Sequence, residues 1–269
     1  MSTQAISYEK VSPKNLPQFE AIASGHRACQ GCAEMLAQRL VLKAAGPDVI
    51  VANATGCMEV TTTPYPQTAW KVPWMHVAFE NASAVGSGIE AARKALFAKG
   101  RLAKNDTKII VMGGDGGTAD IGFQSLSGAL ERGHDFTYVC YDNEAYMNTG
   151  IQRSSATPPG AWTTTSPLGR NVELAGPPIR MSEMLATLEG AGFVARVAVN
   201  NIKNLMKAKK ALKRAFEYQT KGLGFGFVEV LSACPTNWKM SPQEANQRVG
   251  NEMISYFPLG VFKDAAKGA

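Results

Sequence analysis

The sequence lacks the long apolar runs and the dense charge that mark several classes of protein. Apolar stretches such as residues 109–112 and 225–231 are far shorter than the roughly 20 residues that span a bilayer, so no membrane span is expected. Charged residues make up 19% of the chain and hydrophobic residues 45%, which argues against both disorder and a coiled coil. A chain of 269 residues with this balance can bury a large core, in one large domain or two small ones.

An export signal and an even cysteine count are also missing. The first ten residues, MSTQAISYEK, contain no basic start followed by an apolar block, so we expect a cytoplasmic protein. The chain has five cysteines, and an odd number without an export signal argues against structural disulfides. Metal binding or redox chemistry is therefore the better explanation for them.

Positive charge exceeds negative charge, with a formal net charge of +6, but the cations are scattered. Their densest group, residues 203–214, has helical spacing and an apolar stripe, which is typical of a solvated helix face. Nucleic acid is therefore not an expected partner. A basic surface for an acidic protein partner is the alternative interpretation.

Short runs of β-branched and aromatic residues alternate with amphipathic segments along the chain. Strands are predicted over residues 48–53, 108–112, 137–141, 193–199 and 225–231. Helices are predicted over residues 32–45, 82–97, 119–131, 181–190 and 202–220. This alternation predicts an α/β fold, with a doubly wound and mostly parallel sheet covered by helices on both faces.

Three segments do not follow this alternation. Residues 61–73 and 149–166 are rich in Thr, Ser, Pro and Gln, and they are predicted to be long functional loops. Residues 241–267 begin like a capped helix, and their apolar end, SYFPLGVF, has no obvious place in the sheet. We therefore expect a domain over residues 1–240 and a C-terminal extension over 241–269 that packs on this domain or on a partner subunit.

A glycine-rich turn follows the predicted strand 108–112 and precedes a helix. Its sequence is Gly113-Gly114-Asp115-Gly116-Gly117. Glycines at such a turn allow the backbone to approach a diphosphate, and the N–H groups of the helix face the anion. Asp115 would suit a Mg²⁺ ion that bridges two phosphates, because Mg²⁺ prefers oxygen ligands. An ordinary tight turn is the alternative for this string taken alone.

Asn143 supports the cofactor interpretation. It follows the next predicted strand, and 26 residues separate it from Gly116. Neighbouring parallel strands would bring Asp115 and Asn143 together at their carboxyl ends, where ligands bind in open α/β sheets. The side-chain oxygen of Asn143 and the backbone carbonyl of Ala145 would be further metal ligands. The GDG string, this spacing and NEAYMNTG resemble the thiamine-diphosphate signature.

Four of the five cysteines are candidates for metal ligands. Cys29 and Cys32 form a CxxC motif, Cys57 follows, and Cys234 precedes a proline after a predicted strand. A [4Fe-4S] cluster can have a remote fourth cysteine followed by proline, whereas a structural zinc site usually has two close pairs. A redox dithiol would use only the CxxC motif. Spacing alone leaves all three open, and Cys140, inside a strand, is predicted to be a buried apolar thiol.

Several motifs, in order, resemble one protein family over roughly residues 20–240. They are GHRACQGC, NATGCMEVTTTPYPQTAWKVPW, HVAFENASAVGSGIEAA, GGDGGTADIG, CYDNEAYMNTGIQRSSATP and LSACPTNW. Together they are similar to the β subunit of the 2-oxoacid:ferredoxin oxidoreductases of the pyruvate, 2-oxoisovalerate and phenylglyoxylate type. The resemblance implies a thiamine-diphosphate-binding fold that carries one [4Fe-4S] cluster close to the cofactor.

The resemblance also implies roles for individual residues. The implied cluster ligands are Cys29, Cys32, Cys57 and Cys234, and the implied Mg²⁺ ligands are Asp115, Asn143 and the carbonyl of Ala145. Gly114, Gly116 and Gly117 would line the diphosphate, and Asn148 and Thr149 would lie near the thiazolium and the substrate. One departure is Ala33, where the family commonly has glycine; if that position needs a positive φ, alanine is strained there.

The implied reaction converts a 2-oxo acid to an acyl-coenzyme A and CO₂, with electrons leaving through the cluster. An α subunit would complete the thiamine site and supply the activating glutamate. The γ and ferredoxin-like δ subunits, and ferredoxin or another acceptor, are further implied partners. Two alternatives stay open: a non-oxidative thiamine decarboxylase or synthase subunit, and an electron-transfer or scaffold subunit with a relict cofactor loop.

Other titratable residues could support such a site. Glu59, Glu80 and Glu144 are local carboxylates, although surface or packing roles suit each of them equally well. Of the three histidines, His26 is the best functional candidate because it lies close to the CxxC motif.

Overall fold

The computed structural model describes residues 18–64 and 68–267. Its strands, in chain order, are β1 (Val49–Ala54), β2 (Trp74–Val77), β3 (Lys108–Gly114), β4 (Thr137–Asp142), β5 (Ala145–Tyr146), β6 (Gln152–Arg153), β7 (Ala191–Ala198), β8 (Phe225–Leu231) and β9 (Gly260–Asp264). Its α-helices are α1 (Ala33–Ala45), α2 (Cys57–Val60), α3 (Ala82–Ala98), α4 (Asp115–Ala119), α5 (Phe123–Glu131), α6 (Val172–Ala175), α7 (Met181–Ala186), α8 (Ile202–Thr220), α9 (Pro235–Trp238), α10 (Pro242–Arg248) and α11 (Ile254–Tyr256). A π-helical turn, Val249–Met253, joins α10 to α11.

A seven-stranded sheet forms the centre of the fold, in the order β2-β1-β3-β4-β8-β7-β9. Each neighbouring pair is parallel except β7 and β9, which are antiparallel. The central strands β4 and β8 are buried along their whole length, as expected for strands covered on both faces. The predicted doubly wound, mostly parallel α/β sheet is confirmed.

Helices cover both faces of the sheet and create two apolar cores. On one face, Val41 of α1 and Leu212 of α8 are buried in the larger core. On the other face, Leu126 of α5 and Leu185 of α7 are buried with residues of α3. Each helix therefore buries one apolar stripe against the sheet, which is the arrangement that its periodicity predicts.

The sequence prediction missed two short edge strands. β2 and β9 lie at opposite ends of the sheet, and most of their residues are partly or fully exposed, so neither has a continuous buried run. The apolar end of residues 241–267, which had no obvious place in the predicted sheet, contributes to β9, and β9 pairs with β7 at the edge of the sheet. The capped start of that segment is confirmed as α10, where Ser241 and Glu244 form a capping box.

Two predicted helices differ from the structure. The helix predicted over residues 119–131 begins only at Phe123, as α5, because the preceding helix α4 ends at Ala119 and Asp120 leaves the helical conformation at φ −111° and ψ −95°. Gly122 then lies so close to Gly117 that a Cβ would stand 2.0 Å from the Gly117 carbonyl oxygen. The helix predicted over residues 181–190 ends at Ala186.

The two predicted loops have different outcomes. Residues 149–166 contain β6 and a short bridge between Thr163 and Ser166, but no longer element. The predicted loop 61–73 lies between α2 and β2, and its residues 65–67 lie outside the described part of the chain, as does the N-terminal MSTQAISYEK. None of the helices within residues 18–64 and 68–267 combines the length and the apolar composition of a membrane span.

Candidate cofactor site at the carboxyl ends of the strands

Strands β3 and β4 bring Asp115 and Asn143 to the same edge of the sheet. The two strands are parallel neighbours, with Gly114 opposite Tyr141. Asp115 directly follows β3 as the first residue of α4, and Asn143 directly follows β4. Both residues therefore lie where open α/β folds bind their ligands. This is the placement that the sequence predicts for them.

Both residues line one cavity, which we name the glycine cavity because Gly113–Gly117 form part of its wall. The predicted residues on this wall are Gly114, Asp115, Gly116, Gly117, Asn143, Ala145, Asn148 and Thr149. The structure thus brings every residue predicted for thiamine diphosphate and Mg²⁺ to a single cavity. Asn148 and Thr149 are exposed, and the Thr149 hydroxyl donates a hydrogen bond of 2.6 Å to Gln152.

Gly116 has no space for a side chain. A Cβ at this position would stand 2.3 Å from the ring of Tyr146, and the Tyr146 hydroxyl donates a hydrogen bond of 3.0 Å to the Gly116 carbonyl. The glycine thus allows the turn after β3 to pack directly against β5. A close approach of backbone to a ligand or to another segment is the usual reason for such a glycine.

Asp115 is a buried carboxyl group in a negative environment. Its side chain accepts a hydrogen bond from the Ser154 hydroxyl, and the residue is only 3% exposed. Burial raises the pKa of Asp115 to about 8, the Ser154 hydrogen bond opposes this shift, and the charge of Asp120 adds to it. A divalent cation would reverse the effect, because a positive charge favours the ionised carboxylate.

Asn143 has one satisfied and one unsatisfied side-chain atom. Its Nδ2 donates a hydrogen bond of 2.6 Å to Oε1 of Glu34. Its Oδ1 is buried and has no hydrogen-bond partner within the described ranges. Buried polar atoms are nearly always paired, so an unpaired oxygen on a cavity wall is available to a ligand or a water molecule. A magnesium ion is a suitable one, since it prefers oxygen donors.

The four cysteines of the predicted cluster site line a second cavity, which we name the thiol cavity. Cys29 and Cys32 precede α1, Cys57 begins α2, and Cys234 follows β8. All four line a space of about 170 Å³. Across the described ranges, no three His, Cys, Asp or Glu side chains converge closely enough to hold one metal ion. The four cysteines therefore share the wall of one space.

The backbone of the CxxC motif depends on a glycine. Gly31 has a φ of +74°, and a Cβ there would stand 2.4 Å from Cγ of Pro242. Ala33, the departure from the family pattern, is the first residue of α1 and is not among the residues with positive φ. Because its φ is not positive, Ala33 causes no backbone strain where the family commonly has glycine.

Burial favours the protonated form of three of these thiols, those of Cys32, Cys57 and Cys234. It raises the pKa of Cys32 and of Cys234 to about 12, and it raises the pKa of Cys57 further. The negative charge of Glu34 is the second largest cause of the raised pKa of Cys32 and Cys57. Cys140, by contrast, is 2% exposed inside β4, where it belongs to the second core, so the prediction of a buried apolar thiol is confirmed.

The two cavities share a wall. The residues that line both are Glu34, Cys57, Met58, Asn143, Met147 and Asn148. Sequence reasoning missed Glu34, although it stands two residues after the CxxC motif in the first turn of α1. Its spacing could have suggested a role, but its burial at 3% exposure could not be read from the sequence. Burial raises the pKa of Glu34 to about 8, with a further contribution from Asp115.

The other candidate carboxylates and His26 lie in varied surroundings. Glu80 is exposed, and Glu59 lies 3.6 Å from His76. Glu144 is buried and forms an ion pair of 2.6 Å with the half-buried Arg248. Glu144 has an unusual backbone, with a φ of +78°. His26 accepts a hydrogen bond of 3.4 Å from the N–H of Ala28 through Nδ1.

Comparisons with known proteins agree with this geometry. The family model described as the C-terminal TPP binding domain of thiamine pyrophosphate enzymes matches residues 54–230. The chain is also similar to the solved 2-oxoglutarate:ferredoxin oxidoreductase from Magnetococcus marinus, with a TM-score of 0.62 and 23% identity over 85% of this chain and 69% of that one. At this identity the solved structure supports the fold alone.

Curated relatives are much closer in sequence. The pyruvate synthase subunit PorB of Methanocaldococcus jannaschii is 52% identical over 230 residues, which are 85% of this chain and 74% of that protein. The ketoisovalerate oxidoreductase subunit VorB of Pyrococcus furiosus is 42% identical over 248 residues, which are 91% of this chain and 76% of that one. The chain therefore belongs to the thiamine pyrophosphate enzymes and is a β subunit of the 2-oxoacid:ferredoxin oxidoreductase family.

Proposed function

We propose that this subunit takes part in the oxidative decarboxylation of a 2-oxo acid to an acyl-coenzyme A and CO₂, with thiamine diphosphate in the glycine cavity and a [4Fe-4S] cluster in the thiol cavity. The observation that carries this proposal is the shared wall of the two cavities, to which Cys57 and Asn143 both belong. A cluster bound by Cys57 would adjoin a cofactor whose metal is bound by Asn143.

The donor groups on the wall of the glycine cavity suit a diphosphate and its metal. Backbone at Gly114, Gly116 and Gly117 lies open to the cavity, and the start of α4 places N–H groups at the same turn. Asp115, the unpaired Oδ1 of Asn143 and the carbonyl of Ala145 form an all-oxygen donor set, which suits Mg²⁺. Thiamine diphosphate, when bound, supplies the electron sink that allows the 2-oxo acid to lose CO₂.

The chain's own residues would orient the cofactor and exclude water. The Ser154 hydroxyl donates a hydrogen bond that fixes the Asp115 carboxylate. The Tyr146 ring closes one side of the turn at Gly116. We propose that Asn148 and Thr149, which are exposed on the cavity wall, face the reacting end of the cofactor and the substrate.

The thiol cavity supports an iron–sulfur cluster better than a zinc ion or a dithiol. A single zinc ion needs four sulfurs about 2.3 Å from one point. The four thiols instead line a space of about 170 Å³, which leaves room for inorganic atoms between them. A dithiol would leave Cys57 and Cys234 without a role. A cluster accepts single electrons, which the oxidative reaction requires and the non-oxidative alternative does not.

We propose that an α subunit completes the thiamine site at the glycine cavity and supplies the activating glutamate. A relict cofactor loop is a poorer explanation, because every proposed ligand is present and lines the cavity. The γ and ferredoxin-like δ subunits, coenzyme A and ferredoxin remain proposed partners. We also retain the division into residues 1–240 and an extension over 241–269, whose α10 packs near the CxxC motif through Pro242.

Among 2-oxo acids, we propose pyruvate as the preferred substrate. The support is the higher identity to the pyruvate synthase subunit, 52%, than to the ketoisovalerate oxidoreductase subunit, 42%. Anaerobic turnover of the assembled complex with coenzyme A and an electron acceptor should be fastest with pyruvate in a panel of short, branched and aryl 2-oxo acids. This chain expressed alone should give no steady turnover, and turnover without a partner would refute the dependence on an α subunit.

A further inference from the structure

Glu34 is a buried carboxylate that neither the sequence motifs nor the proposed reaction explains. It lies in the first turn of α1, is 3% exposed, and lines both the glycine cavity and the thiol cavity. Glutamate is almost never fully buried without a partner, because its desolvation is costly. Its burial between two cavities therefore indicates a specific function.

The hydrogen-bond partner of Glu34 is Asn143. Oε1 of Glu34 accepts a hydrogen bond of 2.6 Å from Nδ2 of Asn143, which crosses 109 positions of the sequence. An amide has two ends, and the ionised carboxylate of Glu34 can accept only from the nitrogen end, so the ionised form is the one that fixes the orientation. The amide is thereby held in one orientation, and its Oδ1 remains buried without a partner in the described part of the chain.

We propose that Glu34 is a positioning residue for the metal of the thiamine site, and that it acts by holding the Asn143 amide with Oδ1 toward the cation. The inference rests on the proposed function. Without this acceptor the amide is free to turn, and its NH₂ group, which cannot bind a cation, competes for the same position. Partners that orient metal ligands typically change metal affinity about 10–100-fold when they are lost.

Two conservative variants separate this role from a simple effect of charge. Glu34→Gln removes the charge but keeps an acceptor oxygen at the same reach. Glu34→Asp keeps the charge but draws the acceptor away from Asn143 by one methylene. If orientation is what matters, Gln retains the metal affinity and Asp loses it; if charge matters, the order is reversed.

The measurement is calorimetric titration of Mg²⁺ into the assembled complex in the presence of saturating thiamine diphosphate. Glu34→Asp should weaken Mg²⁺ binding about 10–100-fold, whereas Glu34→Gln should remain near the wild type. Glu90→Asp is the matched control, because Glu90 is also buried but pairs with His134. It should leave Mg²⁺ affinity unchanged.

A double-mutant cycle tests whether Glu34 acts through Asn143. In an Asn143→Ala background, Glu34→Asp should cause no further loss, because the group that it positions is absent. Full additivity would overturn the proposal, as would unchanged affinity in Glu34→Asp or an equal loss in Glu34→Gln. Iron content and thermal unfolding of each variant identify any loss of Mg²⁺ affinity that is due to misfolding. If Glu34→Asp is misfolded, Glu34→Gln decides the question, both alone and in the Asn143→Ala background.

The wild-type complex separates this inference from the proposed function. If the wild type shows no Mg²⁺-dependent binding of thiamine diphosphate, the proposed function fails and the inference fails with it. If the wild type binds the cofactor and Glu34→Asp binds Mg²⁺ equally well, only the positioning role is overturned.

Discussion

The ring of Tyr146 occupies the space that a side chain on Gly116 would need, and its hydroxyl donates a hydrogen bond of 3.0 Å to the Gly116 carbonyl. The turn after β3 and the hairpin after β4 therefore form one rigid wall of the glycine cavity. This contact explains why the third residue of the GDG string is glycine, independently of any ligand.

Gly116→Ala should displace this wall. The new Cβ would stand 2.3 Å from the Tyr146 ring, so either the ring or the turn must move. Overpacking of this kind typically costs about 1–3 kcal/mol. We expect thiamine diphosphate binding by the assembled complex, measured by calorimetry, to weaken by about 5- to 150-fold if binding bears this whole cost. Gly88→Ala is the control, since Gly88 lies within α3 with no heavy atom within 4 Å of the added Cβ.

Cys57→Ser should remove the cluster but keep the fold. Serine is a poor ligand for iron in place of a thiolate, and Cys57 lines the thiol cavity together with the other three candidate ligands. Iron and acid-labile sulfide per chain should fall, and the visible absorbance of the cluster should be lost. Cys140→Ala, inside β4, should retain full iron content; equal iron loss in both variants would argue against the assigned ligand set.

The sequence predicts the candidate ligands at the carboxyl ends of the strands better than it predicts the residues that hold those ligands in place. Asp115 and Asn143 can be predicted from the sequence because each follows a strongly apolar strand, and ligands bind at the carboxyl ends of such strands in open α/β sheets. The role of Glu34 cannot be predicted from the sequence, because its burial depends on packing between α1 and residues more than 100 positions away. β2 and β9 were missed for a related reason: exposed edge strands have no apolar run, and pairing with a neighbour decides their conformation.

The loop 149–166 also depends on a contact that its own sequence does not predict. Its composition predicts a long loop, but the residue that organises it, Arg170, lies outside the segment. Arg170 is 4% exposed and donates hydrogen bonds to the carbonyls of Ser154, Ser155 and Thr157 at 3.3, 3.1 and 2.6 Å. The Ser154 hydroxyl in turn donates to Asp115. The local sequence around Arg170 does not predict that it holds this loop through hydrogen bonds.

Arg170→Lys should loosen this loop, because a lysine ammonium cannot reproduce the planar fork of the guanidinium. Hydrogen exchange over residues 149–166 should accelerate, and the free energy of unfolding should fall by about 1–3 kcal/mol. Arg101→Lys, an exposed position, is the control and should change neither quantity. Unchanged exchange in Arg170→Lys would show that the loop is held by other contacts.

Asp135→Asn should remove one pH dependence of stability. Burial, with the charge of Glu90, raises the pKa of Asp135 to about 7, and its Oδ1 is buried without a partner in the residues described. An unfolded aspartate has a pKa of about 3.9. Between these two values the unfolded chain loses the proton that the folded chain keeps, so this contribution to stability declines as pH rises toward 7.

Asparagine does not ionise, so the variant should gain stability relative to the wild type at pH 8 and little at pH 4. The gain should be on the order of 1 kcal/mol, since Asp135 is partly screened by solvent. Thermal unfolding at the two pH values measures it, with the exposed Asp106→Asn as control. A gain that is equal at both pH values would contradict the assignment.

The most direct test of the central claim, that the two cavities hold a thiamine cofactor beside an iron–sulfur cluster, is electron paramagnetic resonance of the assembled complex under anaerobic conditions. Addition of pyruvate should reduce the cluster and produce its signal only when Mg²⁺ and thiamine diphosphate are present, and the signal should be absent in Cys57→Ser. A wild-type complex that binds thiamine diphosphate but shows no iron–sulfur signal from this subunit, with any 2-oxo acid or with dithionite, would contradict the account.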